Sequence, residues 1–354
     1  MRFGFGCYFA TILNLEIATM LPMQPLKSLV AAAAIALTCL SAPTASAQTP
    51  TPVTVRMDVF FYGSHVPILY GIVNGTYKKY GLDVTAQTGR GSGTTLQTVA
   101  AGTDQFGFAD GGALTRFASQ GLKVKMILGI LQSTPSIVLA LPDSNIKAPK
   151  DLEGRTGGFA AGSAPEQLFP ALAKAAKFDL DKIKRVGVDI PTRDSLFIQK
   201  KIDFSFGYTV TQLPLMEEKC SCKINTINYV DYGLNTVGNG MVVSDEYAAA
   251  HPDVVRRFTL ATAEAIEASL KEPEKAVDAF FVYAKGTQLS RNVVTRQWME
   301  TAKLLHTPET KDKPVGVMGE KDWARSIDLL VEYGGVAKGA VKPEMLFTNQ
   351  YLAK

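Results

Sequence analysis

The residues of this chain that could hold a small molecule lie in short turns that follow apolar runs. The first turn spans residues 62–65 and offers the side chains of Tyr62, Ser64 and His65. It follows residues 53–61, whose β-branched and aromatic side chains predict a strand, and it precedes apolar residues at helical spacing. A polar turn between a strand and a helix lies at the carboxyl end of the strand, where open α/β sheets bind ligands.

A glycine-rich loop repeats this arrangement of strand, loop and helix. It reads Gly91-Ser92-Gly93-Thr94 and follows the predicted strand 82–85. At a helix start such a loop presents free N–H groups and the positive end of the helix dipole, which can hold a carboxylate, a sulfonate, a phosphate or a polar ring. A plain turn between a strand and a helix explains the same residues. The loop is not a P-loop, because no Gly-Lys-Ser/Thr follows it.

A third loop, Asp110-Gly111-Gly112, follows another short predicted strand. The Asp110 carboxylate could accept a hydrogen bond from an amine on the ligand, or it could cap the helix that follows. The two glycines would allow a close approach of ligand and backbone. Gln132 lies in the polar exit of the predicted strand 124–131 and is a further candidate.

The second half of the sequence follows the same plan. Ser163 and Ala164 open a helix after the predicted strand 157–160, and their exposed N–H groups would form a second polar cradle. Tyr208 follows the predicted strand 202–207, where it would offer a ring and a hydroxyl group to the cleft, or would be a half-buried surface residue.

Three other element predictions bear on the architecture. Asn239 precedes a predicted return strand, 241–243, and would either bond the ligand at a hinge or take up a left-handed turn. Residues 252–284 are predicted to be helical throughout. A core-facing helix that ends near Gly75 is predicted from the spacing of Ile68, Leu69, Ile72 and Val73.

The composition indicates a globular protein with material for two cores. The chain has 354 residues, of which 46% are hydrophobic and 20% are charged, and its formal net charge is +4. This length favours two lobes. Charges of both signs are spread along the chain without a basic run, so nucleic acid is not an expected partner. No metalloprotease, serine-hydrolase or Walker motif is present, and we expect no catalysis, cofactor or metal site.

The amino end has the pattern of an export signal. An apolar run, residues 29–40, leads to the small residues 45–47, which predicts cleavage after Ala47 and removal of residues 1–47. The run is shorter than the roughly 20 residues that a membrane-spanning helix needs. Met23 is a better initiator than Met1. We therefore expect a periplasmic protein.

Two cysteines, Cys220 and Cys222, would remain after cleavage. They do not form a disulfide framework, and two thiolates alone cannot fill a tetrahedral metal site. An oxidising periplasm would permit a local bridge between them, and free surface thiols are the alternative.

Two longer phrases carry a family resemblance. Residues 75–84 read Gly-Thr-Tyr-Lys-Lys-Tyr-Gly-Leu-Asp-Val, and residues 145–158 read Asn-Ile-Lys-Ala-Pro-Lys-Asp-Leu-Glu-Gly-Arg-Thr-Gly-Gly. Together with His65 they resemble the periplasmic solute-binding proteins for nitrate, sulfonates, taurine and thiamine-pyrimidine precursors. The pyrimidine-precursor branch usually has Trp, Pro and Asn ahead of this His. Here Phe61 and Tyr62 stand among the corresponding residues, so the ligand does not carry over.

The resemblance implies a two-lobed α/β fold of the type II periplasmic-binding-protein class, with a mixed sheet and flanking helices in each lobe and a ligand cleft between the lobes. Residues 53–137 and 241–354 would form the first lobe, and residues 138–240 the second. It also implies a monomer that closes around a small solute and delivers it to an ABC permease in the inner membrane.

The ligand would be a small anionic or aromatic/heteroaromatic organic solute. A thiamine-pyrimidine-synthase-like enzyme and a sensor module for a regulatory partner are the alternatives. The candidate ligand-binding residues are Phe61, Tyr62, His65, Gly91, Ser92, Gly93, Thr94, Asp110, Gly111, Gly112, Gln132, Ser163, Ala164, Tyr208 and Asn239.

Overall fold

Two five-stranded sheets with flanking helices form the part of the chain that the computed structural model describes, residues 49–353. The predicted signal peptide, residues 1–47, lies outside these residues. In chain order the strands are β1 (Thr51–Arg56), β2 (Leu82–Gln87), β3 (Phe106–Asp110), β4 (Val124–Gly129), β5 (Ser136–Ala140), β6 (Thr156–Phe159), β7 (Lys184–Gly187), β8 (Phe204–Tyr208), β9 (Asn225–Asn228) and β10 (Asn239–Ser244).

The same region contains α-helices on both sides of these sheets. They are α1 (Val66–Val73), α2 (Thr76–Lys79), α3 (Ser92–Ala100), α4 (Gly111–Ser119), α5 (Ala164–Ala176), α6 (Ile190–Ile198), α7 (Gln212–Cys220), α8 (Asp245–Ala250), α9 (Pro252–Lys271), α10 (Pro273–Tyr283), α11 (Arg291–Ala302), α12 (Glu320–Glu332) and α13 (Pro343–Leu346).

The two sheets have the same topology. The first has the order β2-β1-β3-β10-β4, in which β1 runs parallel to β2 and β3, and β10 runs antiparallel to β3 and β4. The second has the order β7-β6-β8-β5-β9, with β6 parallel to β7 and β8, and β5 antiparallel to β8 and β9. We call the first sheet with its helices the first lobe, and the second sheet with α5–α7 the second lobe.

The burial of the strands follows their place in the sheets. Edge strand β2 buries Leu82, Val84 and Ala86 and exposes the residues between them, as expected for a strand with one solvated face. Central strands β3 and β8 are buried along their whole length because helices cover both faces of each sheet. Their carboxyl ends therefore emerge from a fixed framework, which is what positions Asp110 and Tyr208.

Strand β1 is shorter than predicted, and this changes the start of the site. It ends at Arg56 rather than at residue 61. Beyond the last ladder bond, from Met57 N to Gln87 O at 2.8 Å, the chain turns away from the sheet. The turn is held by backbone bonds from the glycine loop, including one of 2.5 Å from Gly91 N to Asp58 O. Apolar residues beyond Arg56 pack at the cleft instead of extending the sheet.

Two helix predictions need correction, and one is confirmed. Helix α1 ends at Val73, close to Gly75 as predicted, but Val73 itself is 40% exposed instead of facing the core. The predicted continuous helix 252–284 is two helices that break at Glu272 and Pro273, since proline has no N–H to continue the hydrogen-bond ladder.

The chain crosses between the sheets twice, once between β4 and β5 and once between β9 and β10. Strand β5 begins at Ser136, so residues 136–137 pair within the second sheet, and β10 begins at Asn239, so residues 239–240 pair within the first. Asn239 is consequently a strand residue where the chain returns to the first lobe. No helix within residues 49–353 has the length and hydropathy to cross a bilayer.

Candidate functional site

A small cavity lies between the two lobes, beside the loops that follow several strands. Its volume is about 30 Å³, room for roughly two water molecules. Its walls come from both lobes: Asp58, Val59, Gly91, Ser92, Ser163, Ala164, Pro165, Ile190, Arg193, Gly207, Tyr208, Thr211 and Gln212. The carboxyl ends of strands from both sheets meet at this crevice. In α/β proteins, ligands bind at such a place.

Asp58 is the buried centre of the first-lobe side of this cavity. Its carboxylate accepts a hydrogen bond from Asn239 Nδ2 at 2.9 Å and lies 3.0 Å from His65 Nε2. His65 Nδ1 accepts the Tyr62 N–H at 3.1 Å, so the ring proton belongs on Nε2 and is donated to Asp58. His65 is fully buried and packs edge-on against Phe108. Both of its nitrogens serve the protein, so it fixes the orientation of Asp58.

Asp110 lies beside the cavity, behind Ser92. Its Oδ1 accepts the Ala113 N–H at 2.8 Å and so caps α4, while its backbone N–H donates to Ser92 Oγ at 3.2 Å. Its Oδ2 is buried and has no hydrogen-bond partner within the described residues. Burial, helped by the nearby Asp58 and opposed by backbone N–H donors, raises the pKa of Asp110 to about 7. Of the two roles predicted for Asp110, the structure contains the helix cap, made by Oδ1. The second oxygen, Oδ2, remains free to accept a hydrogen bond from a ligand.

The second-lobe wall contains a buried ion cluster around Arg193. The Arg193 guanidinium is 1% exposed and bonds Glu166 at 2.5 Å and Asp194 at 2.9 Å. Although burial lowers the pKa of Arg193, the two carboxylates outweigh it and hold that pKa above its usual value. Ser163 donates its hydroxyl to Glu166 as well. The one guanidinium on the cavity wall is thus already neutralised by two carboxylates.

Of two buried tyrosines near the crevice, Tyr208 lines the cavity and Tyr62 packs beside it. Burial and the carboxylates of Asp110 and Asp58 hold the pKa of Tyr208 well above its ordinary value, so its phenol stays a proton donor. Tyr62 comes from the first lobe but packs into an apolar cluster of the second lobe that includes Leu215 and Met216. Burial likewise raises the pKa of Tyr62, with Asp194 contributing.

Glycines let the lobes touch at the edge of the cavity. Gly93 N donates to Gly162 O across the cleft at 3.1 Å. A Cβ at Gly91, whose φ is +122°, would lie only 2.5 Å from the same oxygen. Gln297 adds a second bridge, because it accepts from Gly63 N at 2.7 Å and donates to Thr211 O at 2.7 Å. The structure is therefore a closed arrangement of the lobes.

The remaining candidates lie around the cavity rather than in it. Phe61 packs edge-on against Tyr283 outside the cavity. Gln132 is buried and donates to Leu305 O at 2.6 Å, which anchors the carboxyl-terminal region. Gly111 bonds Gly238 O through its N–H. Gly112 and Thr94 face the second lobe: a Cβ at Gly112 would lie 3.3 Å from Leu168, and Thr94 approaches Gly162.

The sequence patterns do not identify Asp58, Arg193 and Gln212 as site residues. Asp58 was hidden inside a run that was interpreted as a strand, although a lone aspartate among apolar residues is itself a signal. Within residues 49–353 no cluster of three His, Cys, Asp or Glu side chains could hold a metal ion. Cys220 and Cys222 form the local disulfide that the sequence left open.

The two sheets with their flanking helices and the crevice between them have the fold of the two-lobed periplasmic binding proteins. A solved structure from Bordetella bronchiseptica superimposes with a TM-score of 0.69 at 18% identity, covering 86% of this chain and 96% of that one. The alkanesulfonate-binding protein SsuA of Xanthomonas axonopodis, bound to MOPS, gives 0.65 at 14% identity, covering 84% and 98%. These likenesses confirm the predicted fold.

The sequence itself gives the family. The model of the NMT1/THI5-like family matches residues 63–276, more than half of the chain, and the chain belongs to that family. The riboflavin-binding protein RibY of Chloroflexus aurantiacus is 23% identical over 319 residues, which is 88% of this chain and 89% of that protein. A 4-amino-5-hydroxymethyl-2-methylpyrimidine phosphate synthase of Legionella pneumophila is 22% identical over 228 residues, or 64% and 72% of the two chains.

Proposed function

We propose that this protein is the exported receptor of an ABC import system and that its solute is a flat nitrogen heterocycle, neutral or cationic at pH 7. The observation that carries the choice of solute is the charge of the crevice. Asp58 and Asp110 are buried on one side, and Arg193 on the other side is paired with Glu166 and Asp194. The crevice has an excess of carboxylates.

This charge balance disfavours a nitrate or a sulfonate. A buried anion needs a partner of opposite charge, and Arg193 can serve only if it gives up Glu166 or Asp194. A ring N–H or amino group instead meets Asp110 Oδ2, which has no other partner in the described residues. The buried ring of Tyr208 adds an apolar face with a polar tip to the cavity wall.

The names of the relatives agree with a heterocycle. The relative from Chloroflexus aurantiacus is named for riboflavin, and the synthase from Legionella pneumophila is named for an aminopyrimidine. Both compounds carry flat rings with hydrogen-bond donors and acceptors. We favour binding over catalysis because His65, the histidine of the cleft, uses both nitrogens in fixing the turn.

The mechanism we propose is closure of the lobes around the solute. Ligand that contacts both walls shifts an open–closed equilibrium toward the closed form, which the permease of the inner membrane would recognise. Export through the leader of residues 1–47 would place the monomeric receptor in the periplasm. A disulfide between Cys220 and Cys222 is compatible with that oxidising compartment.

A thermal-shift panel on the mature chain from Gln48 tests the proposal. The panel contains riboflavin, 4-amino-5-hydroxymethyl-2-methylpyrimidine, taurine, an alkanesulfonate and nitrate. A ligand at 100 times its Kd adds about 2.7 kcal/mol to the free energy of unfolding. We expect a shift with a heterocycle and none with the anions. Stabilisation by a sulfonate or nitrate alone would refute the charge argument.

A further inference from the structure

A second, larger space lies between the lobes outside the cavity. This outer groove has a volume of about 760 Å³. The first lobe contributes Phe60, Arg90 and Thr94 to its walls, and the second lobe contributes Asp189, Ile190 and Pro191. Most of the other residues that line it have small side chains, so the groove has room for a bulky ligand.

The outer groove continues the cavity along the same chain segments. Residues 58–60, 89–94, 160–165 and 188–193 pass from the wall of one space to the wall of the other, and Ile190 lines both. Contact of Gly93 with Gly162 separates them in this closed arrangement. A cavity of about 30 Å³ has no room for a six-membered ring. Any bound ring therefore holds the lobes further apart and widens the passage to the groove.

Phe60 gives the outer groove a partly exposed aromatic ring. The ring is 42% exposed, whereas its neighbour Phe61 packs against Tyr283. Pro191 faces the groove from the opposite lobe. An exposed aromatic ring opposite an apolar residue of the other lobe is suited to hold a flat group between them on closure.

The polar side chains of the groove come from opposite lobes. Arg90 makes no side-chain hydrogen bond or ion pair within residues 49–353. Hydrogen bonds from Thr192 are the main cause of the lowered pKa of Asp189, and the nearby charge of Arg90 lowers that pKa further. Asp189 already accepts the Thr192 N–H at 2.8 Å as the cap of α6. Arg56 also lines the groove, but its guanidinium is bonded to the Asp104 carboxylate and to Thr88 O. Arg90 is therefore the groove arginine whose donors are not used by the described residues.

We propose that the outer groove is a second subsite, which holds the far part of a two-part solute. The solute is a fused heteroaromatic ring system, with a substituent rich in hydroxyl oxygens. One ring edge enters the cavity beside Ser92 and Asp110, the far ring lies on Phe60, and the substituent meets Arg90. This assignment rests on the proposed function and narrows its solute from any flat nitrogen heterocycle to a larger, substituted ring system.

Titration calorimetry with four probes tests the subsite. Riboflavin carries a fused ring and a polyol, flavin mononucleotide adds a phosphate, lumichrome has the fused ring alone, and 4-amino-5-hydroxymethyl-2-methylpyrimidine has one ring. The proteins are the wild type, Phe60→Ala, Arg90→Gln and Leu270→Ala. Leu270 is the matched control, since it is 40% exposed on α9 and lines neither space.

We expect Phe60→Ala to weaken the three fused-ring probes about tenfold and to leave the single-ring probe unchanged. Arg90→Gln should weaken riboflavin and flavin mononucleotide but not lumichrome. Leu270→Ala should match the wild type throughout.

Two results would overturn the subsite. If lumichrome or the pyrimidine binds the wild type tightly and Phe60→Ala binds every probe equally well, the subsite is wrong while the proposed function stands. If none of the four probes binds the wild type, both fall. Circular dichroism and melting of each variant verify that these exposed substitutions leave the fold intact.

Discussion

Replacing Asp110 by asparagine should change how the stability of this protein depends on pH. The pKa of Asp110 is raised from 3.8 to about 7 because the carboxyl group is buried. Between about pH 4 and pH 7 the folded protein thus keeps a proton on Asp110 that the unfolded chain has already released. The contribution of Asp110 to the free energy of unfolding is therefore fully present below about pH 4. It is lost as pH rises through this range, by up to about 4 kcal/mol.

Asparagine removes this dependence while keeping the local structure. Its Oδ1 can still accept the Ala113 N–H as the helix cap. Its amide group then stands where the unpartnered Oδ2 of Asp110 is buried. Asp110→Asn should consequently be more stable than the wild type at pH 8 and equal to it near pH 4. The groups that face this position, Asp58, Ser92 and Tyr208, are unchanged in the variant.

Urea unfolding at pH 4, 5, 6, 7 and 8 measures the effect. Asp83→Asn is the control, because Asp83 is an exposed carboxylate on β2. We expect the wild type and Asp83→Asn to lose stability in parallel relative to Asp110→Asn. The same substitution should weaken a solute that donates a hydrogen bond to Oδ2, most strongly above pH 7. If all three proteins show parallel pH profiles and equal affinities, Asp110 is neither a buried titrating group nor a ligand acceptor.

Three other changes test the cluster, the interlobe bridge and the disulfide. Arg193→Leu leaves Glu166 buried without its partner and should lower the free energy of unfolding by about 3 to 5 kcal/mol, measured by urea titration. A loss below about 1 kcal/mol would contradict a buried ion cluster. Gln297→Leu strands two buried backbone groups and should cost about 2 kcal/mol, while an unchanged midpoint would show that water replaces the bridge. Replacing Cys220 and Cys222 by serine releases a three-residue ring and should cost about 1.6 kcal/mol, an effect that dithiothreitol should reproduce in the wild type but not in the variant.

The amino-acid sequence was sufficient for the succession of elements and for the loops that carry the site. A strand with one covered face has alternating apolar residues, and a strand with both faces covered has a continuous apolar run. Both patterns can be seen within a few neighbouring residues of the sequence. For that reason β2, β3 and β8 are close to where the pattern predicts them, and the glycine loop at Gly91 and the cap at Asp110 follow them. The errors were also local in origin: residues 57–61 have strand-like side chains but lack a neighbouring strand to pair with.

The partners of the site residues depended on the tertiary structure. Asp58 meets Asn239, 181 positions away, and Gln297 joins Gly63 to Thr211 across the two lobes. No local pattern encodes such pairs, because they exist only once the sheets are formed and the lobes are closed. The sequence predicts His65 as a ligand contact, and only the folded chain places its two ring nitrogens against Tyr62 and Asp58. Local periodicity sets the elements, whereas the charge and the free hydrogen-bonding groups of the crevice follow from which distant side chains neutralise one another.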